Sequence, residues 1–198
     1  MARAVLVTDA ENYVRELLSA QLSPDMYFHN LRHTERVVNA AKEIAQNSGL
    51  GKKETNIVEI AAWFHDTGYC YAYAGHEDNS IAIAATFLKQ QGADEKFIAK
   101  VSGCILATQI PQSPQNLMEE VLCDADLSHF SLTDYPERAA LLRMEWAARL
   151  KKNYTDRDWW QSNISLLTRH TYFTQYGKTI LQKNKLNNID ALLAQFPK

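Results

Sequence analysis

The sequence predicts an all-α fold, and three observations carry that prediction. Seven glycines and five prolines are few for 198 residues, too few to turn a chain of β-hairpins. Apolar residues recur at three- and four-residue spacings along most of the chain, between Asn, Asp, Ser or Thr at the starts and Gly or Pro at the ends. Val5-Leu6-Val7 is the only strand signal, and a faint one.

The elements follow in order. Thr8 or Asp9 caps a first helix that Ser23-Pro24 stops after about Leu22, because the residue before proline is driven out of the helical region. A second helix runs from Asn30 to Asn47, with Val37, Ala40, Ala41 and Ile44 inward and Gly49 beyond its end. A third spans about Lys53 to Asp66, with Ile57, Ile60, Ala61 and Phe64 on its core face and Gly68 as its stop. An aromatic loop, Tyr69 to Ala74, leads to helices over about His76–Gln91 and Asp94–Ala107. After the Pro111 and Pro114 loop, Asn116 caps a helix reaching about His129, and Pro136 sits in the first turn of another reaching Lys152. Stretches from Asp156 to about Thr174 and from Lys178 to Phe196 complete the chain.

Composition narrows the function. At 46% hydrophobic and 22% charged, residues 1–198 are expected to fold as one domain, neither disordered nor fibrous. A net charge of −2 supplies no electrostatic footprint for a nucleic-acid polymer or an anionic membrane. The start, Met1 to Val7, has one cation and too short an apolar run for a signal peptide, and no window approaches the roughly 18 apolar residues of a membrane span. The expected location is cytoplasmic. Cys70, Cys104 and Cys123 form no Cys-x-x-Cys pair and read as core thiols rather than a disulfide frame or a cysteine zinc site.

Three places then put metal-ligand side chains where apolar ones belong. His33 lies four residues before Val37, seven before Ala40 and eleven before Ile44, on the buried stripe of its helix. Asp126 lies four after Leu122 and eight after Met118, so its carboxylate is in line with core residues, where an unpaired charge costs several kcal/mol. His65-Asp66 ends the apolar run Ile60-Ala61-Ala62-Trp63-Phe64, offering an imidazole and a carboxylate side by side. A buried divalent cation would offset all three. Such a set is compatible with Mn, Fe, Co, Ni, Zn or Mg.

The order His33, His65-Asp66, Asp126 resembles the motif of the HD-domain metal-dependent phosphohydrolase superfamily, His…His-Asp…Asp on separate helices of an all-α fold. Trp63 to Gly68 is similar to that family's His-Asp segment and Cys123 to Ser128 to its last segment, in which the Asp before the Leu is the ligand. The resemblance therefore implies Asp126 as the ligand and leaves Asp124 as a capping carboxylate or a substrate or second-metal contact. Tyr27-Phe28-His29-Asn30-Leu31-Arg32-His33 resembles the Tyr-His-Asn-x-x-His motif of the cyclic nucleotide phosphodiesterase branch, which implies His29 as general acid and His33 as metal ligand, with Asp66 serving both metal and catalysis. Tyr69 stands where some HD nucleotidases carry a Glu, and His76 is the only further histidine between the His-Asp pair and Asp126, so a second metal site would rest on Asp66, His76 and Glu77. Arg36, one turn from His33, is a candidate phosphate clamp.

The motifs span residues 27–128, and a weaker resemblance to small HD phosphohydrolases covers His170-Thr171-Tyr172-Phe173-Thr174 and Lys185-x-x-Asn188 within the C-terminal helices, about 134–196. The implied function is hydrolysis of a small phosphoester, a nucleotide or cyclic nucleotide first among them. Implied partners are that phosphorylated substrate and, at most, further copies of the chain. A di-iron oxygenase on the same fold and a non-catalytic, metal-containing binding module are the alternatives.

Overall fold

The computed structural model describes residues 3–195, and its side chains from residue 6 on. The described residues form α1 (Arg3–Gln21), α2 (Leu31–Asn47), α3 (Lys52–Phe64), α4 (His76–Gln90), α5 (Glu95–Ala107), α6 (Leu117–Asp126), α7 (Tyr135–Leu150), α8 (Asp156–Arg169) and α9 (Gln182–Gln195), with no strand among them. Short 3-10 turns follow α3 at Thr67–Cys70 and α6 at Leu127–Ser131, and a π-helical turn, Gly177–Leu181, runs into α9. The expected end of the last helix, Phe196, lies outside the described residues. Among the described residues, no helix is long and apolar enough to cross a membrane.

Helix starts obey local chemistry. Asn30 Oδ1 accepts from the backbone N of Arg32 at 3.0 Å and of His33 at 3.4 Å, Asn116 caps α6 in the same way, and Asp94 caps α5. The strand signal at Val5-Leu6-Val7 is overturned, since those residues belong to α1. Leu6, Ala10, Val14 and Leu18 recur every four residues and are buried, so a helical stripe against the core outweighs three residues of β preference.

The core lies in two clusters. The larger gathers the inner faces of α1 to α6 around α3, whose residues Asn56 to Phe64 are all buried. A helix buried all round must be apolar all round, as this one nearly is. The smaller cluster joins Phe130, Tyr135, Trp159, Leu167 and Leu192 from the last 3-10 turn and α7 to α9.

The seam between the clusters explains two helix ends that fall short of the sequence expectation. Helix α8 stops at Arg169 rather than near Thr174, because the backbone N–H groups of Phe173 and Thr174 donate to Asp124, at 2.8 and 2.9 Å, with the Thr174 hydroxyl adding a third bond at 2.7 Å. Helix α6 stops at Asp126 rather than His129, and Tyr172 Oη donates to the carbonyl of Leu127 in the turn that replaces it. Lys185, fully buried, donates to the carbonyl of His170 and lies over the Tyr172 ring, with burial pulling its ammonium down to about 8. Asn188 Nδ2 donates to the carbonyls of Phe130 and Leu132. The 170–174 and 185–188 segments thus brace the turn after Asp126.

Asp124 is part of that brace. Asp124→Ala should leave the buried Thr174 N–H and the part-buried Phe173 N–H without their acceptor, at about 1–3 kcal/mol for the buried one, and lower the urea midpoint without changing the metal content of the folded protein.

Candidate metal centre

The cap at Asn30 places His33 in the first turn of α2, pointing inward, with 3% of its surface exposed. At the other side α3 ends at Phe64, and Thr67 Oγ1 donates to the Phe64 carbonyl at 2.7 Å, which turns the chain so that His65 and Asp66 both face α2. Asp126 reaches the same point from the last turn of α6. His33 Nε2 lies 3.3 Å from Asp66 Oδ2 and 3.2 Å from Asp126 Oδ1. His65 Nε2 lies 3.2 Å from Asp66 Oδ2, 3.6 Å from Asp126 Oδ1 and 3.4 Å from His33 Nε2.

These residues fit a divalent ion. Asp66 Oδ2 is buried and has no hydrogen-bond partner, a costly condition that a cation would relieve. His65 Nδ1 donates to the Ala62 carbonyl at 2.7 Å, which fixes the tautomer and leaves Nε2 as a lone-pair donor. Metal bonds of about 2.0–2.2 Å put neighbouring ligand atoms about 3.0–3.5 Å apart, close to the separations found here. His33, His65 and Asp66 by themselves form a group able to hold an ion.

The electrostatics agree. Burial alone would push the His33 imidazole down, yet the close Asp126 and Asp66 carboxylates hold it above its usual range. His65 stands well above its range, burial again outweighed by the Asp66 charge and by Asp126. Burial favours neutral carboxyls at Asp66 and Asp126, but the facing imidazoles hold both below the carboxylate range, Asp66 by a wide margin. Positive charge is what the cluster is built to hold, as protons or as a metal ion.

The remaining predicted residues divide into those that join the centre and those that do not. His76 joins it: Nε2 is 3.4 Å from the other oxygen of Asp66, Nδ1 is 3.5 Å from Glu77 Oε2, and the ring stacks on Tyr69 at 3.8 Å. His29 joins it too, its ring 5.6 Å from that of His33. Asp124 is turned into the brace, its carboxylate accepting from Phe173 and Thr174. Arg36 does not line the cavity at the centre, and burial together with the nearby Arg138 charge lowers its guanidinium. His170 is held by Lys185 and is likewise absent from that cavity.

Three side chains at the site escaped the sequence reading. Glu145, fully buried in α7, binds His29 Nδ1 at 2.5 Å through Oε1 and accepts the backbone N–H groups of Phe28 and His29 through Oε2. Tyr73 Oη donates to the same Oε1 at 2.8 Å. Burial pushes the Glu145 carboxyl up, but its bonds to His29 outweigh that and leave it lowered. A signal existed, since Tyr135, Arg138, Ala139 and Leu142 mark a helical stripe on which Glu145 is the next member. His129 also lines the cavity, its ring 5.1 Å from Phe28, and burial pulls its imidazole down to about 3, so it is neutral near pH 7. The cavity at the centre is about 400 Å³.

A family model of the HD domain matches residues 30–131, just over half of the chain. The chain belongs to the HD domain family. Within this HD domain the match begins at Asn30, the cap that orients His33, and ends at Ser131, the end of the turn after Asp126; Glu145 lies outside it. The fold is similar over nearly the whole length to three solved structures. One is a protein from an uncultured Thermotogales bacterium described as a predicted HD superfamily hydrolase, 21% identical, with 95% of this chain and 91% of that one aligned and a TM-score of 0.64. The Lin1889 protein of Listeria innocua is 20% identical, with 97% and 96% aligned and a TM-score of 0.67. A protein from Lactobacillus plantarum is 18% identical, with 96% and 95% aligned and a TM-score of 0.66. No curated protein matches the HD-domain chain.

Proposed function

We propose that this HD-domain protein hydrolyses a small phosphoester with a divalent metal ion held by His33, His65, Asp66 and Asp126. The supporting observation is a buried carboxylate oxygen without a hydrogen-bond partner, Asp66 Oδ2, faced by His33 Nε2 and His65 Nε2, both of which also face Asp126 Oδ1, on the wall of a cavity that also carries His29. Such an ion supplies Lewis acidity at a phosphoryl oxygen and makes water acidic enough to attack near neutral pH. His29 holds the proton for the leaving oxygen: Glu145 engages Nδ1, which leaves Nε2 as the atom that gives the proton. Glu145, tied to two backbone N–H groups and to Tyr73, fixes the plane and tautomer of that ring. The resemblance of residues 27–33 to the cyclic nucleotide branch makes nucleotides and cyclic nucleotides the first natural esters to assay.

The test is hydrolysis of bis-p-nitrophenyl phosphate and p-nitrophenyl phosphate by chelated protein, before and after adding Mn, Fe, Co, Ni, Zn or Mg. Turnover restored by at least one ion is the expected result, and the ratio of the two rates separates diesterase from monoesterase. Metal bound without turnover of either ester, with every ion, would point instead to a binding module. His29→Ala should lower turnover by about 10²–10⁴-fold. Glu145→Gln keeps the shape but loses the charge facing His29 and should cost about 10–10²-fold, the usual effect of a partner that orients an imidazole. Metal content, read by elemental analysis, should be unchanged in both.

A further inference from the structure

The walls of the cavity are unlike those a nucleotide needs. We infer that the ester bears a single phosphoryl group and an apolar, uncharged leaving group, aromatic or long-chain, which lies against α7; this rests on the phosphohydrolase reading above.

Position is the first argument. Leu142, Trp146 and Leu150 recur every four residues along α7 and line the cavity together with Phe130, Ile110 and Leu166. The same helix supplies Glu145, which holds the acid His29. A proton given by His29 goes to the leaving oxygen, so the group attached to that oxygen is the part of the substrate that meets the α7 wall. Ile110 and Leu166 are 70% and 45% exposed, so the wall runs out to an open mouth.

Charge is the second argument. No Lys, Arg, Asn or Gln lines the cavity among the described residues, whereas Asp66, Glu77 and Asp126 do. One phosphoryl group is matched by the metal centre; a second or third would find no Lys or Arg among the described lining residues to receive it. Of the three hydroxyl side chains that line the cavity, two are already committed, and the third, Tyr69, stacks on His76 at the metal end. Thr108 Oγ1 donates to the carbonyl of Ile105 and Tyr73 Oη to Glu145. Polar side chains of the cavity gather at the metal end, where His29, His76 and His129 surround the cluster, and an unread nucleobase or ribose would lose hydrogen bonds to water at the other. A volume of about 400 Å³ lies in the ordinary range for small-molecule sites and suits one such group.

The experiment compares the metal-loaded protein in binding and in turnover. By calorimetry, 1-naphthylmethylphosphonate should bind roughly 10²-fold more tightly than methylphosphonate, the gain expected from burying a naphthyl face, and more tightly than the phosphonate analogue of AMP. In turnover, 1-naphthyl phosphate should exceed AMP, ATP and cyclic AMP in kcat/KM. Leu166→Ala, an uncharged truncation at a half-exposed site where folding is not at stake, should shrink the naphthyl-over-methyl gap. Equal binding of the two phosphonates, tighter binding of the AMP analogue, or faster turnover of nucleotides would overturn this inference while leaving the phosphohydrolase reading in place. Failure of every ester with every metal would overturn that reading itself, and this inference with it.

Discussion

Replacing Asp126 with alanine should remove bound metal and turnover together while leaving the fold intact. Its Oδ1 faces both imidazoles, so without it one carboxylate, Asp66, is left to balance a divalent charge. The stabilisation of phosphoryl charge and the acidification of water supplied by a metal are worth several kcal/mol, so turnover should fall by about 10³-fold or more. The fold should survive because the Asp126 side chain is part-exposed, at 17%, at the end of α6, and the brace around the following turn is made by other groups. Elemental analysis, ester hydrolysis and far-ultraviolet circular dichroism on the same preparation check all three. Asp124→Ala, two residues earlier, should show the opposite pattern, with stability lost and metal kept.

Replacing Gly68 with alanine should be the most destabilising single methyl in the chain. A Cβ there would lie 1.9 Å from the carbonyl oxygen of His76, 2.8 Å from its carbon and 2.9 Å from the backbone N of Ser80. These are main-chain atoms of α4 and cannot rotate aside, so the turn after Asp66 and the start of α4 must separate. That movement also breaks the 2.8 Å bond from Gly68 N to Ser80 Oγ and draws His76 away from Asp66. Overpacking usually costs about 1–3 kcal/mol, and a backbone clash belongs at or above the top of that range. At about 2–4 °C per kcal/mol for a chain of this size, the melting temperature should drop by about 6–12 °C. Gly51→Ala is the milder comparison, since its nearest neighbour is a side-chain atom at 3.6 Å and only the preference for glycine over alanine at the start of α3 is at stake, about 1 kcal/mol.

What the sequence could show, and what it could not, follows from the range of the interactions. His33, His65, Asp66 and Asp126 could be singled out because each interrupts a helical apolar stripe, and a stripe is a local pattern. Asn30, Asp94 and Asn116 could be read as caps for the same reason. Asp124 carries the same local signal as Asp126; only Phe173 and Thr174, some fifty residues on, decide that it faces the other way. Those distant donors also end α8 early, in a stretch whose periodicity continues. Glu145 meets His29 across 116 residues, and nothing near either one announces the pairing. Arg36 sits one turn from His33, yet charges much later in the chain, Arg138 and Asp134, act on its guanidinium.

Anomalous scattering from crystals grown with Mn or Zn, collected on both sides of the metal edge, locates the ion directly. The account predicts one strong peak about 2.0–2.3 Å from His33 Nε2, His65 Nε2, Asp66 Oδ2 and Asp126 Oδ1, absent from Asp126→Ala crystals grown alike. A peak bound elsewhere, or none at these four atoms with either metal, would contradict it.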